Sequence, residues 1–159
     1  MQTIWITGGS SGIGFATAKE FIANNWQVVI SSSNKIKLES AKKKLELNNN
    51  KNLVHAIVCD ISSKNNVDET INSIEKNIGK IDIALLNASA YSPNKNQIFD
   101  ISNYELLVDV NIKGTLYCVN KLKDVMKNRN NTIAIISSPV GYRGWPTAGG
   151  HMVFLRQLN

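Results

Sequence analysis

Apolar residues recur along the chain in two alternating patterns: short continuous runs, and longer stretches at helical spacing. The runs Ile4–Thr7, Gln27–Ser31, Leu53–Cys59, Ile81–Asn87 and Thr132–Ser137 are rich in Ile and Val and bounded by turn residues, which predicts five strands. Ile81–Asn87 is nearly continuous in apolar residues, as a parallel strand covered on both faces requires. Between the runs, Phe15, Ala18, Phe21 and Ile22 share one helix face, and Ile36–Leu47 turns Leu38, Ala41 and Leu45 inward. A third helix carries Val67, Ile71, Ile74 and Ile78, with Ser62 or Ser63 to cap it and Gly79 to end it. After a polar loop around Ser92-Pro93-Asn94, a long helix is expected over roughly Asn103–Asn128.

Strands alternating with helices at regular spacing imply βαβ units with right-handed crossovers. The fold class expected is therefore α/β, a Rossmann-type doubly wound parallel sheet of about five strands. Residues 1–159 read as a single domain, long enough to bury roughly 70% of its unfolded surface. Such a sheet does not by itself name a chemistry.

Composition changes this picture little. A hydrophobic content of 43% with 19% charged residues fits a globular chain, and no apolar run is long enough to span a bilayer. A strand beginning almost at the initiator Met leaves no room for a signal peptide, so a cytoplasmic location is expected. The net charge of +6 raises nucleic acid as a partner. However, Lys35, Lys37, Lys42, Lys43, Lys44, Lys121, Lys123 and Lys127 are spread over helices with no interleaved aromatic platform, and no nucleic-acid binding is expected. Cys59 and Cys118 form neither a metal nor a redox spacing and read as buried free thiols; no metal site is expected.

The chemistry begins in the first turn, Thr7-Gly8-Gly9-Ser10-Ser11-Gly12-Ile13-Gly14, directly after a strand and opening a helix. Glycines there permit a tight turn and let backbone approach a pyrophosphate, which the amides of a helix N-terminus receive. No Lys-Ser/Thr pair follows the last glycine, which excludes a nucleoside-triphosphate loop. At the end of the second strand, Ser31-Ser32-Ser33-Asn34-Lys35 lacks the carboxylate that would bind a ribose 2′-hydroxyl and repel a 2′-phosphate. With Lys35 and Lys37 nearby, the cofactor expected is NADP, with NAD as the alternative.

The spacing T-G-x-x-x-G-I-G resembles the short-chain dehydrogenase/reductase family, and further motifs follow in that family's order. Cys59-Asp60-Ile61 lies where its Asp contacts adenine. Leu86-Asn87-Ala88-Ser89 resembles its N-N-A-G, with Leu for the first Asn and Ser for Gly. Val110-Asn111-Ile112-Lys113-Gly114 matches its active-site Asn, and Ile135-Ile136-Ser137-Ser138 its catalytic Ser. The resemblance implies an NAD(P)-dependent oxidoreductase transferring hydride between the nicotinamide and a small-molecule carbonyl or alcohol. It implies that Gly8, Ser10, Ser11, Gly12, Ile13 and Gly14 cradle the cofactor's phosphates, with Ser32 and Ser33 at the end of the second strand. Asp60 and Ile61 would meet the adenine, Asn87 and Ala88 the adenosine ribose, and Asn111 and Ser138 would belong to the catalytic set. Asn111 taken alone is equally a helix residue that satisfies buried backbone, and Ser138 an ordinary strand end.

The pattern then breaks. At the family's interval from Ser138, its Tyr falls on His151 and its Lys on Leu155. A phenol titrates near 10, so a neighbouring cation is what makes it useful near neutrality. His151 titrates in a suitable range, but Leu155 offers no cation. The chain is thus expected to be a truncated or frame-shifted member, inactive as written. A one-base displacement of the codons for His151–Leu158 could spell Tyr-Gly-Val-Ser-Lys-Ala-Ala, a Y-x-x-x-K segment. The alternative is a non-catalytic dinucleotide-binding fragment or a pseudogene product. Homo-oligomers, implied by the resemblance, are in doubt for this chain, and Thr132–Ser137 would be an exposed apolar edge.

Overall fold

The computed structural model describes residues 1–47, 52–91 and 101–139. Five strands, β1 (Thr3–Thr7), β2 (Gln27–Ser32), β3 (Val54–Val58), β4 (Ile81–Leu86) and β5 (Thr132–Ile135), form one sheet in the order β3-β2-β1-β4-β5. Every neighbouring pair is parallel. The helices are α1 (Gly12–Ala23), α2 (Lys35–Leu45), α3 (Lys64–Asn77), α4 (Ile101–Leu107) and α5 (Thr115–Val125). The doubly wound parallel α/β sheet read from the sequence is what the chain forms.

Two apolar clusters cover the sheet's faces. Ile4, Ile6, Val28 and Ile30 meet Ala18 and Ile22 of α1 and Leu38, Ala41 and Leu45 of α2. On the other face Trp5, Val29, Ala84 and Leu86 meet Val67, Ile71 and Ile74 of α3 and Cys118 and Leu122 of α5. Alternation along β1 therefore sends neighbouring side chains into different clusters, which is why the strand reads as one unbroken apolar run. Trp5 is fully buried, and its indole N–H donates to Ser31 Oγ at 3.1 Å, so the ring brings no orphaned donor into the core.

Local chemistry fixes the helix starts. Asn34 caps α2 by accepting from the Lys37 amide at 2.9 Å. Of the two serines offered for α3, Ser63 is the cap, while Ser62 bonds to Asp60. α3 ends beside Gly79, but Gly79 has no left-handed φ. Its place is set by packing: a Cβ there would lie 2.8 Å from Thr3 Oγ1, at the foot of β1.

Two expectations need correction. The long helix is interrupted: between α4 and α5 the residues Val108–Gly114 form a π-helical segment. Apolar spacing conceals such a turn because the flanking segments keep one inward face. The fifth strand is also shorter than Thr132–Ser137, although the Ile136 amide still reaches Leu86 O at 3.0 Å. Among the described residues β5 is a sheet edge, with Ile135 and Ile136 both substantially exposed.

Candidate functional site

The loops that leave β1 and β4 diverge to opposite faces of the sheet, and a cleft opens at the carboxyl ends of the strands where they part. It encloses about 460 Å³ and is walled by the turn after β1, the end of β2, the segment after β3 and the segment after β4.

The turn after β1 carries left-handed φ values at Gly8 (65°) and Gly12 (55°), a conformation glycine adopts without the Cβ penalty. Gly9 donates its amide to Ser31 O at 3.0 Å, tying the turn to β2. Ser11 stands at the N-cap of α1, yet its side chain does not cap the helix. Among the described residues the first amides of α1, at exposed Gly12 and Ile13, therefore remain uncapped at the positive end of the helix dipole.

Asn87 and Thr7 hold this turn in place. Asn87 Nδ2 donates to Thr7 O (3.1 Å) and Gly8 O (3.2 Å), while the Thr7 hydroxyl accepts from the Asn87 and Ala88 amides, each at 3.0 Å. Gly14 leaves room for that carboxamide, since a Cβ on it would sit 2.7 Å from Asn87 Nδ2. On the far wall, Asn111 belongs to the π segment and is buried. Its Oδ1 accepts from the Ala90 amide (2.8 Å), and its Nδ2 donates to Ala90 O (3.0 Å), a closed pair that fixes the backbone after β4. Thr115 Oγ1 donates to Asn111 O at 3.0 Å.

Among the described residues charge in the walls is sparse. Asp60 Oδ1 accepts from the Ser62 amide (3.0 Å) and hydroxyl (2.7 Å), which turns the carboxylate at the mouth into part of an Asx turn. Lys37 lines the cleft beyond Ser32, Ser33 and Asn34. Its helix neighbours Lys35 and Lys42 reach Glu39 (3.9 Å) and Glu46 (3.5 Å), but no carboxylate pairs with Lys37 among the described residues. Cys59 also borders the cleft. Burial pushes its thiol up, against a hydrogen bond with Thr70, and burial pushes Cys118 up to about 12. Neither is a thiolate near neutrality. Among the described residues no group of His, Cys, Asp and Glu could hold a metal ion.

Of the sequence candidates, Gly8, Ser10, Ser11, Ser32, Ser33, Asp60, Ile61, Asn87 and Ala88 come together around the cleft. Gly12, Ile13 and Gly14 sit at the head of α1 and do not line it, and Asn111 acts one layer behind, through Ala90. Ser138 is half-buried after β5 and does not line the cleft. His151 and Leu155 lie outside the described residues. Sequence reasoning gave no role to Thr7, Ser89, Ala90, Leu106 or Val110. Leu106 and Val110 carried a signal, being four apart on the helix just before Asn111.

The arrangement defines a doubly wound α/β protein with a backbone cradle and a polar, weakly charged cleft at the switch point of its sheet. The chain belongs to the short chain dehydrogenase family, whose pattern it matches over residues 2–150. It is 29% identical over 126 residues to an uncharacterized oxidoreductase of Staphylococcus saprophyticus, covering 79% of this chain and 53% of that protein. A similar oxidoreductase of Staphylococcus aureus is 30% identical over 138 residues, covering 86% and 58%. The chain thus spans little more than half the length of these relatives. Among solved structures, a short chain dehydrogenase from Bacillus anthracis superposes with a TM-score of 0.90 at 23% identity, covering 99% of this chain and 63% of that one. A glucose/ribitol-type short-chain dehydrogenase/reductase from Brucella melitensis gives 0.89 at 20%, covering 99% and 65%.

Proposed function

We propose that the cleft binds a nicotinamide dinucleotide, with NADP preferred over NAD, and that the parent activity is hydride transfer between that cofactor and a carbonyl or alcohol. The observation that carries this reading is the uncapped head of α1 above a left-handed glycine turn held by Asn87 and Thr7. Open amides at a helix N-terminus suit a pyrophosphate. The turn that presents them needs Gly8 and Gly12 for its left-handed φ, with no room for a Cβ on Gly8, which would lie 2.8 Å from Ala88 Cα. Ser10 and Ser11 flank the phosphates, Ile61 and Ala88 offer apolar faces to a base, and Asp60 stands at its edge. The nicotinamide, when bound, supplies or accepts the hydride.

Cofactor choice rests on Lys37. The end of β2 presents Ser32 and Ser33 and no carboxylate, and among the described residues Lys37 is the cation that lines the cleft. A 2′-phosphate there gains a charge-assisted contact that a 2′-hydroxyl does not. Titration of the chain with NADPH and NADH, followed by nicotinamide fluorescence, is expected to show tighter binding of NADPH. Lys37→Glu should reverse that preference, weakening NADPH about tenfold or more. Equal affinities in both proteins, or no binding of either nucleotide, would remove the assignment.

With His151 and Leu155 where the family carries its Tyr and Lys, the 159-residue chain should bind without turnover. Oxidation of NADPH in the presence of carbonyl substrates, above a no-enzyme control, would contradict this.

A further inference from the structure

Ser89 is exposed in the wall of the cleft, between Ala88 and Ala90, and carries its hydroxyl on the segment that follows β4. Among the described residues its single proton has two acceptors within reach: Asn111 Oδ1 at 3.2 Å and Ala90 O at 3.3 Å. Both are long for a bond donated by a hydroxyl. Neither acceptor depends on Ser89. Asn111 Oδ1 already receives the Ala90 amide at 2.8 Å, and Ala90 O already receives Asn111 Nδ2 at 3.0 Å. Moving the serine proton elsewhere leaves no buried group unserved, so the usual penalty for breaking an internal hydrogen bond does not arise.

We propose that Ser89 Oγ is a ligand-contacting, affinity-determining donor, which leaves Asn111 for a neutral oxygen of the bound nucleotide, a sugar hydroxyl or ring oxygen. The proposal rests on the cleft being the dinucleotide site. The closed pair between Asn111 and Ala90 keeps the backbone of this wall fixed while the hydroxyl swings about χ1, so the donor is presented from a rigid base. Among the described residues the wall carries no charge at this point, which suits a neutral sugar oxygen better than a phosphate: Ser89 adds a single directional contact, and the anion is left to the amides of α1.

The test compares the full chain with its Ser89→Ala and Ser89→Thr variants, measuring affinity for NADP+ and NAD+ by calorimetry and thermal stability without ligand. Ser89→Ala is expected to weaken both nucleotides about five- to tenfold with the unliganded melting temperature unchanged, and Ser89→Thr to recover most of the loss. An alanine variant that binds as tightly as the parent overturns the assignment. So does one whose affinity loss is matched by a fall in melting temperature of several degrees, because the hydroxyl would then be holding the wall. Failure of the unsubstituted chain to bind either nucleotide removes the dinucleotide reading itself, and this proposal with it. That outcome is distinct from binding that Ser89→Ala leaves intact.

Discussion

At the scale of single residues, the site is organised by side chains that never need to touch a ligand. Asn87 secures two carbonyls of the glycine turn from 79 and 80 residues away in sequence. Asn87→Ala deprives Gly8 O and Thr7 O of that donor and opens a space against Gly14. A loss of about 1–3 kcal/mol in stability is expected from the unmade bonds, together with dinucleotide affinity weakened at least tenfold. Chemical denaturation and nucleotide titration of the variant check the two effects separately. The place of Asn87 in the site was legible in the sequence; the partners of its carboxamide were not. The resemblance implied a contact with ribose; the structure adds that the carboxamide donates to the main-chain carbonyls of Thr7, at the end of β1, and of Gly8, in the turn. Orientation depends on a partner that no local pattern reveals. Thr7 was missed for the same reason, since a strand-end threonine has the same appearance whether its hydroxyl faces water or two amides.

At the scale of elements, the sequence showed each strand and helix to within a few residues, because burial on one or both faces imposes a period that composition cannot hide. The π segment is the exception. It turns Asn111 inward beneath Ala90 and brings Gly114 against the loop after β3, where a Cβ would meet Ile61 Cγ1 at 2.8 Å and Ile61 O at 3.0 Å. A glycine inside a helix costs about 1 kcal/mol relative to alanine in the absence of such a contact. Here the contact reverses the sign. Gly114→Val should destabilise the chain by about 1–3 kcal/mol through overpacking, and a lowered midpoint in urea with an unchanged slope is the expected signature. A variant as stable as the parent would show that the π segment can shift away from Ile61. Ser138 was read as closing the fifth strand; β5 ends at Ile135, and Ser138 follows it without lining the cleft.

At the scale of the whole molecule, Glu75 joins three parts of the chain. Its Oε1 accepts from the Ile81 amide (2.8 Å) at the start of β4 and from Arg129 Nη2 (3.0 Å) beyond α5, and its Oε2 lies 3.1 Å from Lys80 Nζ. Burial alone would raise the carboxyl's pKa. The Ile81 amide, Arg129 and Lys80 together outweigh it, and the group is held below its usual value. A carboxyl depressed in the folded state contributes stability that is present above its unfolded pKa, near 4.5, and is lost as pH falls through the lower folded value. Stability should therefore decline below about pH 4.5. Glu75→Gln should cost about 2 kcal/mol at neutral pH and flatten that acid limb. Denaturation midpoints of both proteins between pH 3 and pH 7 test this, and parallel pH profiles would count against it.

The sheet order also sets a schedule for folding. β1 lies at the centre, flanked by β2, which follows after about twenty residues, and by β4, which lies nearly eighty residues downstream. A chain emerging from the ribosome can therefore pack α1 and α2 on β1 and β2 long before β4, which adds Leu85 to that cluster and pairs with the other side of β1, exists. Pairings of such long sequence separation are slow to form. Because the bonds that fasten the glycine turn come from Asn87 and Ala88, which directly follow that late strand, the cradle is completed only once β4 has docked. Nucleotide capture during refolding would then serve as a clock for the docking of β4, lagging behind the recovery of helical signal.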